Sequence, residues 1–231
     1  MSLLFAPPSP VLAATSDGHD YPVRRLFCIG RNYADHAKEM GVEVDREAPF
    51  YFTKWAETVV PSGPIAYPPM TANYHYEAEL VVAIGKGGRD IPVEEAMAHI
   101  YGYATGLDMT RRDLQLEARG KGRPWDAGKN VEQSSPLGII HPISETGALQ
   151  TGAIRLTVNG EVKQQADLSD LIHPVPDLVA FLSRAYRLQP GDLIYTGTPA
   201  GVGAVVPGDE IVVSIDGLTD TRVVIAPVAD D

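Results

Sequence analysis

The stretch His75-Tyr76-Glu77-Ala78-Glu79-Leu80-Val81-Val82-Ala83-Ile84 constrains the fold of this chain more than any other. Its apolar, β-branched half, closed by Gly85-Lys86-Gly87-Gly88, reads as a buried strand. Side chains alternate faces along a strand, so Glu77 and Glu79 point the same way. Two carboxylates on one buried face repel unless solvent, a lysine or arginine, or a divalent ion lies between them. These two residues leave all three options open, and the remainder of the chain has to choose.

The 19 prolines and 22 glycines are scattered over 231 residues, which predicts many turns between short elements and a strand-rich mixed fold. The length suits one generous domain with a short appendage: an N-terminal arm over residues 1–22 without periodic pattern, then a single domain over 23–231. A formal charge of −11 offers no broad basic surface, which excludes nucleic acid as the partner. A small anion would have to be captured by a local cluster of cations. The single cysteine, Cys28, lies in the apolar run Leu26-Phe27-Cys28-Ile29 and reads as a packed core thiol compatible with a reducing compartment. Met1 to Ser16 lacks a basic leader region and is broken by Pro7, Pro8 and Pro10, and no other run approaches membrane-spanning length. The expectation is a cytoplasmic protein without membrane contact.

Along the chain, a strand over Arg25–Ile29 turns at Gly30 into a short helix from Arg31 to Met40, stopped by Gly41. On that helix His36 and Glu39 are three apart and share a face, so a carboxylate can sit beside an imidazole. Strands are predicted over Phe50–Lys54, Tyr76–Ile84 and Ile100–Leu107, a short helix over Pro92–Ala98, and a helix over Thr110–Arg119. Asp108 falls at a strand-to-helix junction, where it serves either as a cap or as a third carboxylate for the Glu77/Glu79 face. Gly120 to Glu132 reads as an irregular polar loop around Lys129. A hairpin turning at Asn159-Gly160, a helix over Pro176–Tyr186, a strand over Leu193–Thr196, a glycine-rich loop over 197–203 and a last hairpin turning at Asp216-Gly217 complete the order.

Taken together, Gly30-Arg31-Asn32-Tyr33 with His36 and Glu39, His75-x-Glu77-x-Glu79, Leu107-Asp108-Met109-Thr110-x-Arg112-Asp113, Gly122-x-Pro124-Trp125-x-x-Gly128-Lys129 and Gly197-Thr198-Pro199-x-Gly201-Val202-Gly203 resemble the fumarylacetoacetate hydrolase family, nearest its acylpyruvate and fumarylpyruvate hydrolases. The resemblance runs in order from about residue 24 to 227. It implies an α+β fold, a mixed β-roll with short peripheral helices, usually dimeric. It also implies Mg²⁺ or Mn²⁺ held through Glu77, Glu79 and Asp108, with Lys129 beside the substrate's 2-oxo acid end and the His36/Glu39 pair preparing a water. The chain departs from the family pattern at Trp55, at Tyr76 and at Val131-Glu132.

The chemistry makes sense of these residue types. Splitting a carbon–carbon bond of an acylpyruvate expels a pyruvate enolate, whose charge a divalent cation and an adjacent ammonium can stabilise as it forms. The other carbonyl is attacked by water, for which an imidazole held by a carboxylate is a suitable base. Arg31, Lys54, Arg112, Gln115 and Thr198 are candidates for the substrate's carboxylates and oxygens. The expected reaction is hydrolysis of fumarylpyruvate to fumarate and pyruvate, as in gentisate breakdown. The alternative on the same fold is decarboxylation or tautomerisation of oxaloacetate or a related oxo-diacid, which needs the same metal but no activated water.

Overall fold

A computed structural model describes residues 3–39 and 48–227, with residues 37–39 as backbone only. Its centre is a six-stranded sheet in the order His141–Pro142, Ile100–Leu107, Ala78–Ile84, Asp192–Tyr195, Arg25–Gly30 and Phe50–Lys54. Only the pairing of Asp192–Tyr195 with Arg25–Gly30 is parallel. A five-stranded sheet, in the order Glu161–Asp167, Ala153–Val158, Glu210–Ile215, Thr221–Ala226 and Gly63–Ala66, lies against it.

Ala78–Ile84 is buried along its whole length because it is covered on both faces. Leu80, Val82 and Ile84 join a core with Ile154, Leu156 and Val213 of the second sheet, while Val81 and Ala83 join another with Leu26, Cys28 and Tyr195. A strand covered on both sides has no polar face, which is why the sequence shows an unbroken apolar run there. Burial of each such Leu or Val contributes about 1.5–3 kcal/mol, so the strand is a rigid platform for what stands at its start.

The helices are short and peripheral: Ala34–Glu39, Arg112–Gly120, Asp126–Lys129, Ile143–Thr146 and Val175–Ala185, with a 3₁₀ segment at Val93–His99. The fold is therefore the α+β arrangement expected. At Asn159-Gly160 both residues have positive φ, 51° and 81°, as a two-residue hairpin requires.

Several local expectations are corrected. The N-terminal segment contains a hairpin, Val11–Ala14 with Asp20–Val23, whose Tyr21 hydroxyl donates to the carbonyls of Ile84 (2.8 Å) and Asp192 (3.0 Å). Four-residue strands are too short to display periodicity. The helix expected from Thr110 begins at Arg112, because Thr110-Arg111 pair with Tyr74–His75 in a small sheet completed by Gly203–Val205. The loop before Lys129 ends in a helical turn. The strand expected from Tyr76 is interrupted at Glu77, where the chain passes from the small sheet into the central one.

Candidate metal centre and active site

Glu77 stands at that interruption, and its placement depends on the pairing around it. The Ala78 N–H donates to the Gln164 side-chain oxygen (2.9 Å), and the Asp108 N–H donates to the Glu77 carbonyl (2.9 Å). The second bond carries the pairing one step beyond the Ala78/Leu107 pair and sets Glu77 beside Asp108. Glu79 follows two residues on. One oxygen from each of Glu77, Glu79 and Asp108 lies within 4.8 Å of the others, and all three side chains are buried.

Three buried cations surround these acids. Lys129 Nζ lies 2.7 Å from both Glu77 Oε2 and Asp108 Oδ2. Lys54 Nζ takes the other oxygen of Asp108 at 2.9 Å and donates to the Ser134 carbonyl at 2.7 Å. Arg112 donates to Glu77 Oε1 and to the Gln115 side chain. Lys129 reaches the centre because the turn Asp126–Lys129 presses onto the helix Arg112–Gly120 at Gly128, where a Cβ would come 2.7 Å from that of Gln115. Burial opposes the charge of Lys129, but Asp108 and Glu77 hold its ammonium above the ordinary lysine value. Burial likewise opposes ionisation of Glu77, yet Lys129 and Arg112 hold that carboxyl below the usual range.

Glu79 differs from its neighbours. Its Oε2 accepts the Gly197 N–H at 2.8 Å, while the lysines and the arginine bond to Glu77 and Asp108. Gly197 has φ +100°, and a Cβ there would meet the Asn32 Cβ at 2.7 Å, so only glycine brings this amide to the carboxylate. Burial, with Asp108 and Glu77 nearby, pushes the Glu79 carboxyl well above its ordinary value. A hard divalent cation among the three carboxylate oxygens would supply Glu79 with a counter-charge. An all-oxygen donor set suits Mg²⁺ or Mn²⁺ and not zinc.

The three acids line a cavity together with Arg31, His36, Arg112, Gln115, Lys129 and Thr198. His36 is buried in the helix Ala34–Glu39, whose approach is pinned by Asn32: its amide donates to the carbonyls of His173 (3.0 Å) and Thr196 (2.8 Å) and accepts the His173 N–H (2.8 Å). The Glu39 side chain falls outside the described residues. Thr198 Oγ1 accepts from the Gln164 amide at 2.8 Å, and the same amide donates to the Pro199 carbonyl at 2.7 Å. Arg31 has a left-handed backbone, φ 56°, with its guanidinium 5.3 Å from the centre of the Phe50 ring. Lys54 is not among the lining residues, since it is buried against Asp108.

Sequence reasoning missed Gln164, Asn32 and Arg119. Gln164 lies in a strand where most side chains are polar, so only its burial distinguishes it. Arg119 lines the cavity from the last turn of its helix, where a surface role is the ordinary expectation. Of the departures from the family pattern, Trp55 and Glu132 are exposed, and Tyr76 is buried against Gly203.

A buried all-oxygen carboxylate centre, flanked by lysine and arginine within a mixed β scaffold, defines a divalent-metal enzyme. Residues 25–226 match the family model described as Fumarylacetoacetate (FAA) hydrolase C-terminal, and the chain belongs to that family. It is 53% identical over 191 residues to a fumarylpyruvate hydrolase of a Ralstonia species, covering 81% of this chain and 99% of that one. It is also 41% identical over 201 residues to the oxaloacetate tautomerase YcgM of Escherichia coli, covering 86% and 91%. The crystal structure of fumarylpyruvate hydrolase from Pseudomonas aeruginosa in complex with Mn²⁺ and pyruvate superimposes with a TM-score of 0.96 at 50% identity, covering 98% of this chain and all of that one.

Proposed function

We propose that the protein is a metal-dependent hydrolase that cleaves fumarylpyruvate to fumarate and pyruvate, with aromatic catabolism of the gentisate type as its setting. The observation that carries this reading is that His36 lines the same cavity as the three carboxylates and Lys129. Glu77, Glu79 and Asp108 are the ligands for Mg²⁺ or Mn²⁺, which when bound polarises the 2-oxo acid end of the substrate and spreads the charge of the departing enolate. Lys129 keeps an ammonium beside that charge in a site shielded from water. Lys54 holds Asp108 from its other oxygen. Arg112 and Gln115, joined to each other, orient substrate oxygens, and Thr198 is aimed into the cavity by Gln164. His36 takes the proton of the attacking water and returns one to the leaving carbon.

The test is the loss of fumarylpyruvate absorbance on the purified protein with Mg²⁺ or Mn²⁺, with products identified. One fumarate and one pyruvate per substrate consumed is the expected result. Oxaloacetate turnover far exceeding cleavage of every acylpyruvate would replace this reading with the second one, oxaloacetate tautomerisation or decarboxylation, which the E. coli relative favours.

A homodimer belongs to the proposal. Leu3, Leu4, Phe5, Leu12 and Ile139 are exposed and offer apolar surface for a second copy. A cytoplasmic location is supported by the lone, buried Cys28. Among the described residues no helix is long and apolar enough to cross a membrane.

A further inference from the structure

The cavity has a second cationic element that the centre does not use. Arg31, from the end of a central strand, and Arg119, from the last turn of the helix carrying Arg112 and Gln115, both line it and are half-buried. Arg31 is held in an uncommon backbone conformation with its guanidinium over the Phe50 ring. A left-handed arginine is kept only where the surroundings over-determine it, and such residues gather at ligand clamps. The wall shared with these arginines is partly aromatic: Phe52 and Trp125 line the cavity with ring centroids 5.8 Å apart, and Trp125 also meets Phe50, the ring beneath Arg31, edge-on at 5.2 Å.

We propose that Arg31 and Arg119 form a clamp for a carboxylate at the far end of the acyl group, making the site selective for dicarboxylic over monocarboxylic acylpyruvates. The proposal rests on the hydrolase reading, because it takes the 2-oxo acid end of the substrate to lie at Glu77, Glu79 and Asp108. Two guanidiniums lining one cavity can both donate charge-assisted hydrogen bonds to a single carboxylate. Burial and the charge of Arg119 both push the Arg31 guanidinium below its ordinary value, so the two cations are within electrostatic reach of each other. The flat Phe52 and Trp125 walls suit a planar unsaturated segment joining the two ends.

The test is binding, so it is independent of cleavage. With the protein loaded with Mn²⁺, calorimetry compares 2-oxoheptanedioate with 2-oxoheptanoate, which share the 2-oxo acid end and chain length and differ only in the far carboxylate. The diacid is expected to bind roughly tenfold or more tightly. That preference should fall to within about threefold in Arg119→Gln and in Arg31→Asn, the latter chosen because asparagine tolerates the left-handed backbone. Arg119→Lys should keep part of the preference and controls for loss of folding. A wild-type preference under about threefold, or an undiminished preference in both neutral variants, overturns the clamp. Failure of the hydrolase reading would instead show as intact diacid preference without fumarylpyruvate cleavage.

Discussion

Glu77 and Glu79 are two residues apart, yet neutralising each should have opposite consequences for the metal-free protein. Both oxygens of Glu77 are bonded to buried cations, Oε1 to Arg112 and Oε2 to Lys129. Glu77→Gln leaves those cations short of an anion, and breaking a buried pair in this way costs about 3–5 kcal/mol. At this chain length about 2–4 °C of Tm corresponds to each kcal/mol, so the metal-free variant should melt about 6–20 °C below wild type. Glu79 accepts a backbone N–H that an amide oxygen accepts equally well, and its charge opposes those of Glu77 and Asp108. Metal-free Glu79→Gln should therefore melt within about 2 °C of wild type or above it.

With Mn²⁺ the two variants should instead behave alike. At a hundred times its Kd a ligand adds about 2.7 kcal/mol to wild type. That corresponds to about 5–11 °C, and both variants should lose this increment. The assay is thermal unfolding with excess chelator and then with graded Mn²⁺. A metal-free Glu79→Gln that falls as far as Glu77→Gln would refute the charge allocation. A Mn²⁺ increment in Glu79→Gln equal to that of wild type would remove Glu79 from the ligand set.

Three further outcomes are expected. His36→Ala should lower kcat for fumarylpyruvate by roughly a hundredfold or more while Mn²⁺ affinity, measured by calorimetry, changes by only a few-fold; near-normal turnover would place water activation elsewhere. Gly197→Ala should weaken Mn²⁺ binding by about 10–100-fold, because it displaces the amide that orients Glu79; an unaltered Kd would separate this loop from the metal. Gln164→Leu should cost about 1–3 kcal/mol in urea unfolding and raise KM, since it leaves the buried Ala78 N–H and Thr198 without their partner; a change in stability with KM unmoved would confine Gln164 to a structural role.

The acidic half of the centre was legible in the sequence because Glu77 and Glu79 stand two residues apart at the head of an unbroken apolar run, Asp108 follows another, and the family resemblance joins the three. The pairing of charges was not. Lys54 and Lys129 are 75 residues apart, and nothing in either neighbourhood says that both ammoniums reach Asp108. The clearest example is Gln164, which joins Ala78, Thr198 and Pro199 from a strand of the second sheet, because such a role exists only once two sheets have met. The N-terminal hairpin and the turn Asp126–Lys129 escaped for a different reason: elements of four residues are shorter than the window over which periodicity can be read.

Charge balance around the centre explains how so acidic a protein can take up a dianion. The overall −11 acts through solvent and is screened beyond roughly a Debye length, about 8 Å in physiological salt. Inside the cavity the local balance governs, because the dielectric is low and the charges are fixed. Glu77, Glu79 and Asp108 are matched there by Lys54, Arg112 and Lys129. At the centre these six charges cancel, Arg31 and Arg119 add two positive charges at the cavity wall, and a bound divalent ion would add two more, so a dicarboxylate enters a cavity of net positive charge. Under the proposed reaction one dianion and water become the fumarate dianion, the pyruvate anion and a proton. Each product alone makes fewer contacts with the site than the substrate that joined them, which favours its departure before the next substrate enters.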